Sequence, residues 1–171
     1  MDIISHENNQ DHIVRALEIV KKKQPNIHIQ TDDYYIQVWR GANGVLVDFT
    51  RIIQYIPMDK TYEQLYFDIV VNLKNQEIIP FDNSEFHGSF YAYTDKDLIA
   101  LEFIKKNFGV FSPSFKNMIH EEADEYKISC TNEASYGYYT LNKKTGQQGP
   151  SLQGSYIPMQ KPNLDNLLEN E

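Results

Sequence analysis

Two seven-residue segments, ALEIVKK at 16–22 and ALEFIKK at 100–106, differ at only two positions. Each opens a region where a helical apolar period gives way to strand-like alternation. A chain patterned in this way must bury two amphipathic helices against sheet, which points to an α+β architecture. In the first segment Ile13, Ala16, Leu17 and Val20 fall at i, i+3, i+4 and i+7, one face of a helix over 11–23. Asp11 near its start and Lys21–Lys23 at its end complement the helix dipole, and Pro25 stops it. In the second, Thr94 and Asp97 are spaced as a capping box, Leu98, Leu101, Ile104 and Phe108 share a face, and Gly109 supplies the stop.

Between and after the helices the period changes to two. YYIQVWR and VLVDFTR, joined by GANG at 41–44, read as a hairpin because glycine and asparagine tolerate the positive φ of a tight reversal. In EQLYFDIVVNL, Leu65, Phe67, Ile69, Val71 and Leu73 alternate with Tyr66, Asp68 and Asn72, as in a half-buried strand. EIIPF, closed by Pro80, then EYKISC and SYGYYTL complete the strand inventory before the loop QQGPSLQGS. YYIQV at 34–38 resembles YKISC at 126–130, and YIPM occurs at Tyr55–Met58 and again at Tyr156–Met159. Three similarities in the same order suggest a degenerate tandem duplication of a helix-plus-β-meander unit. Against this, strands follow the first YIPM and only a polar tail follows the second. The expectation is a single domain, 1–171, with sub-units 11–81 and 95–159, a tail 160–171, and a mainly antiparallel sheet carrying two helices on one face.

Sixteen basic and 24 acidic residues give a net charge of −8. The charge is evenly spread, with eight basic against 13 acidic residues in 1–85 and eight against 11 in 86–171. Phosphate-backbone binding draws on clustered Lys and Arg, so nucleic acid is not an expected partner. No apolar run is long enough to span a bilayer, and the opening MDIISHENNQ lacks the features of a secretory leader, so the expectation is a cytoplasmic protein that does not enter membranes. One cysteine, Cys130, excludes an intrachain disulfide; alternating with Ile128 it reads as a buried small hydrophobe.

Motifs for catalysis are missing: no phosphate loop, no nucleophile elbow, and five scattered histidines without H-E-x-x-H or H-x-H spacing. No cofactor, metal or catalytic residue is assigned. HEEADE at 120–125 lacks the spaced ligands and glycine of a calcium loop and reads as an acidic edge or a partner-binding patch. The 12 tyrosines cluster, and those of ASYGYYT follow closely on the acids. Tyrosine joins a rigid apolar body to a polar tip, which suits strands with one wet face and also protein interfaces.

The helix followed by an antiparallel meander resembles, in topology, the cystatin-like, PepSY-like and NTF2-like groups. In type, a small acidic chain without catalytic motifs resembles the bacterial immunity proteins that neutralise toxin domains. That resemblance implies a non-catalytic inhibitor that occludes a basic protein partner; the acid-and-tyrosine surface read from HEEADE and ASYGYYT gives Glu121, Glu122, Asp124, Glu125, Tyr136, Tyr138 and Tyr139 as the expected contact residues. The NTF2-like resemblance implies instead a pocket that binds or transforms a small molecule, lined by Tyr35, Trp39 and His87.

Overall fold

The structure, a computed structural model, describes residues 6–42, 44–79 and 89–156. Helix α1 (His6–Lys23) begins before the apolar period does and ends on the expected lysines. The hairpin forms as read: β1 (Tyr34–Gly41) and β2 (Gly44–Arg51) pair antiparallel with Gly41 opposite Gly44, whose φ of 114° suits glycine. After one intervening residue the chain enters β3 (Ile53–Ile56), then β4 (Leu65–Tyr66), β5 (Asp68–Asn72), β6 (Glu77–Ile79) and β7 (Ser89–Phe90). Helix α2 (Asp95–Phe108) follows, then β8 (Lys116–Glu121), β9 (Glu125–Thr131), β10 (Ser135–Asn142) and β11 (Leu152–Ser155).

Pairing sorts these strands into two principal sheets and a small one. The first sheet has the order β1-β2-β5-β6, all antiparallel; the second has the order β11-β10-β9-β8-β3, antiparallel except that β3 lies parallel to β8; β4 and β7 form a short parallel pair. Each helix is therefore followed by four antiparallel strands of its own: β8 to β11 run as a meander, whereas in the first sheet β3 and β4 intervene between β2 and β5. Each of these sheets carries its own helix on one face, with α1 against Val47, Phe49, Ile69 and Val71, and α2 against Ile119, Ile128 and Leu141.

The YIPM segments do not occupy equivalent places. Tyr55 and Ile56 end β3, at one edge of the second sheet, whereas Tyr156 leaves β11 at the opposite edge; Ile157–Met159 lie outside the described residues, as do Pro80, His87, Pro158 and the tail. Likewise Tyr34 opens the first strand after α1, while Tyr126 lies in the second strand after α2. The similarity that survives is between the helices.

The long alternating run 65–73 is broken at Phe67, because it serves two cores. Leu65 and Phe67 pack with Ile56 in a third cluster, while Ile69, Val71 and Leu73 belong to the α1 core. On α2 the capping box is made: the Thr94 hydroxyl accepts from the Asp97 amide at 3.2 Å, and the Asp97 carboxylate accepts from the Thr94 amide at 2.9 Å. Asp97 is buried and also accepts from the Tyr91 hydroxyl at 2.6 Å. Leu98 departs from its expected place: it is 51% exposed, and Ala100, Leu101 and Ile104 make the buried stripe.

Strand β3 is an edge strand, and one side chain completes that edge. The Tyr93 hydroxyl donates to the Ile53 carbonyl at 2.7 Å and accepts from the Tyr55 amide at 2.8 Å, taking the place of a neighbouring strand. Its ring contacts Tyr55, Phe67 and Tyr91, and the Arg51 guanidinium lies 3.8 Å above it. Burial pushes the phenol up to about 12, so it stays a neutral donor at physiological pH. Tyr93→Phe keeps the ring packing and strands both backbone groups; it should cost about 1–3 kcal/mol, read as a lower urea midpoint with an unchanged m-value.

Candidate functional site

Strand β10 presents its alternate residues to opposite sides of the second sheet. Gly137, Tyr139 and Leu141 face α2; the Tyr139 ring meets Phe108 edge-on at 5.0 Å, which removes Tyr139 from the expected contact surface. Tyr136 and Tyr138 face away from the helix, and the register sets Tyr138 beside Leu152 and Tyr136 beside Gly154. A Cβ at Gly154 would run into the Tyr136 ring, so the glycine is what lets that ring lie flat across β11. Tyr136 then lies between Tyr138, at 5.7 Å between centroids, and Tyr156, at 5.2 Å. The result is a row of three tyrosines beside Leu152, with Tyr138 45%, Tyr156 48% and Leu152 59% exposed. A shallow groove of ≈ 520 Å³ lies beside Tyr138 and Leu152, at one end of the row, bordered by His120, Lys127, Thr140 and Pro150.

The acidic segment does not act as one patch. Glu121 turns inward: its side chain is only 7% exposed and accepts hydrogen bonds from the Tyr55 hydroxyl at 2.9 Å and the Met58 amide at 3.1 Å, with the Lys143 ammonium at 3.4 Å. It joins the end of β3 to the end of β8 and is a structural carboxylate. Burial opposes its charge, but the Met58 amide, the Tyr55 hydroxyl and Lys143 together hold it below the usual carboxylate range. Glu122 pairs with Lys127 at 3.1 Å in an exposed bridge of the kind that contributes little, and its carbonyl accepts from Lys143 at 3.0 Å. Asp124 is exposed at the tip of the turn, and Glu125 lies opposite Asn142. Three acids thus remain at one end of the tyrosine row, and the exposed Glu133 stands on the turn at the other end, where Tyr156 donates its amide to the Ala134 carbonyl at 2.8 Å.

The residues expected to line an enclosed pocket do not come together in one. Tyr35 is 47% and Trp39 50% exposed on the face of the first sheet away from α1, and His87 lies outside the described residues. Tyr35 borders an open cleft of ≈ 390 Å³ shared with Gln54, Asp68 and Asn117. Each of these three has a buried oxygen without a donor among the described residues, and the Asn117 amide nitrogen already serves the Ile52 and Ser112 carbonyls. Burial, with the neighbouring Asp48 charge, pushes the Asp68 carboxyl up to about 6. Cys130 packs against the α2 core, and burial pushes its thiol up to about 11, the opposite of an activated nucleophile. Among the described residues no group of three His, Cys, Asp or Glu side chains is placed to hold a metal ion, and no helix is long and apolar enough to cross a membrane.

Two of the perturbed carboxyls, Glu121 and Asp68, bend the pH dependence of stability in opposite ways. Glu121, with a lowered folded pKa, stabilises above its ordinary value of 4.5, and that contribution is lost as the pH falls through the folded value. Asp68, raised from 3.8 to about 6, binds its proton more tightly when folded and so costs stability as the pH rises across that interval. Denaturant titrations between these pH limits should show Glu121→Gln losing part of the acid limb of the profile. Asp68→Asn should gain stability over wild type progressively toward neutral pH, and no gain would contradict the assigned burial cost.

No protein-family model matches the chain, and no curated protein matches it. Among solved structures, the Bacillus megaterium YpeB C-terminal domain is similar at 14% identity and a TM-score of 0.23, over 90% of this chain. The chain spans 66% of that domain's length.

Proposed function

We propose that the chain is a non-catalytic binding protein that occludes a basic protein partner, in the manner of an immunity protein, through the outer face of its second sheet. The observation that carries this reading is the uncovered row Tyr138–Tyr136–Tyr156 with Leu152 beside it. Rigid aromatic rings flanked by an aliphatic side chain are what the buried centres of interfaces are made of. Exposed tyrosine faces also accept Arg and Lys cations. Glu122, Asp124 and Glu125 at one end and Glu133 at the other supply a polar rim, and the net charge of −8 would steer a basic partner toward it. Glu121 takes no part, since its oxygens are already committed inside the fold.

The test is affinity capture with tagged wild type beside two variants, Tyr138→Ala/Leu152→Ala and Glu122→Lys/Asp124→Lys/Glu125→Lys. The expected outcome is a basic protein retained by wild type at low salt, released as salt rises, and held at least about tenfold more weakly by both variants. Both should melt close to wild type, because the altered side chains are at the surface. Gly154→Val should weaken capture as well by displacing the Tyr136 ring. A partner held equally by wild type and both variants would place the interface elsewhere.

A further inference from the structure

A second site lies between the two units, where β2 runs into β3. Arg51, the last residue of β2, is fixed on three sides: its Nε donates to the Tyr34 hydroxyl at 3.1 Å, its guanidinium carbon lies 3.8 Å over the Tyr93 ring, and 5.1 Å from the Tyr34 ring. Among the described residues it has no carboxylate partner; the ion pairs there belong to Lys105, Lys127 and Lys143. Arginine is normally the residue that grips a carboxylate with two parallel N–H bonds. Here the side chain is held in place by the Tyr34 and Tyr93 side chains, and among the described residues its fork meets these two phenols and no carboxylate. That is the condition in which a cation binds an incoming anion at least entropic cost.

The guanidinium borders an open cleft of ≈ 660 Å³ whose walls also include Ile52, Leu98, Leu101, Val110 and Phe111. Leu98, half exposed on α2, and Val110, 99% exposed just past it, are apolar side chains for which the fold has no packing use. The cleft also holds Asp32, Asp33 and Glu102, of which Asp33 is offset by Lys105 at 4.0 Å. A strongly anionic ligand such as a phosphate would meet the remaining acids. A single carboxylate on an apolar body would pair its charge with Arg51 and lay the rest against Leu98 and Val110.

We infer that this cleft binds a carboxylate carried on an apolar residue-sized group, with Arg51 as its anchor and the Leu98–Val110 wall as its apolar support. The chemistry is that of an apolar amino acid or of a peptide's C-terminal residue. The two sources differ in whether a free ammonium accompanies the carboxylate for Asp32 and Glu102.

The experiment is a titration of the full chain, followed by amide chemical shifts, with three probes: N-acetyl-leucine, N-acetyl-leucinamide and leucine. N-acetyl-leucine should shift resonances around Arg51, Leu98 and Val110, and the amide, lacking the carboxylate, should bind at least about tenfold more weakly. Tighter binding of leucine than of N-acetyl-leucine supports the inference with a free amino acid as the source; the reverse supports it with a peptide C-terminus. Because Arg51→Gln removes packing as well as charge, Leu98→Glu serves as the second variant. It alters an exposed position, should leave the melting temperature in place, and should abolish the N-acetyl-leucine shifts. Equal binding of acid and amide, no shifts with any probe, or unchanged binding by Leu98→Glu would overturn the inference. None of these outcomes bears on capture by the tyrosine face, which uses a different sheet surface.

Discussion

The hydroxyl of Tyr93 is the contact on which the arrangement of the two units turns. An edge strand leaves a row of backbone groups unpaired, and β3 is a short one placed where the chain passes from the first sheet to the second. By bonding the Ile53 carbonyl and the Tyr55 amide together, Tyr93 closes that edge. Its ring meanwhile brings Phe67, Tyr91 and Tyr55 into one aromatic cluster and supports the Arg51 guanidinium. The parallel pairing of β3 with β8, the junction cluster and the cleft beside Arg51 all share this residue. Glu121 performs the matching task at the other end of β3, where Tyr55 and Met58 meet the end of β8.

Local structure was legible in the sequence where one short-range force decides it. The capping box at Thr94 and Asp97, the glycine-closed hairpin, and the end of α1 at its lysines follow from backbone groups that must be satisfied within a few residues. The alternation of 65–73 was legible as strand, but not as a strand divided between two cores, because a period of two says which residues face together and not what they face. The parallel placement of β3 depends on residues about sixty positions away and left no local trace. The recurrence of YIPM pointed toward equivalence and marks opposite edges of one sheet instead.

The site residues divide along the same line. Tyr136 and Tyr138 lie on the outer face, as alternation within SYGYYTL allows, and the same alternation turns Tyr139 inward. Glu121 looked like its acidic neighbours, and only the approach of Tyr55, Met58 and Lys143 from elsewhere in the chain distinguishes it. Arg51 carried no signal at all. An arginine at the end of a strand is ordinary until two distant tyrosines are seen to hold it.

Strand β3 lies among the strands of the first sheet by sequence and belongs to the second sheet by hydrogen bonding. The second helix-plus-meander unit is therefore finished by a strand that precedes it in the chain. During synthesis β3 emerges long before β8 exists, and in the interim it has no sheet to join. Conversely, a fragment beginning after β3 would present β8 with a bare edge of four residues' length, open to a strand from another copy. The two units cannot be separated or shuffled as independent modules without exchanging that strand, and the covalent link between them works as a donated sheet edge.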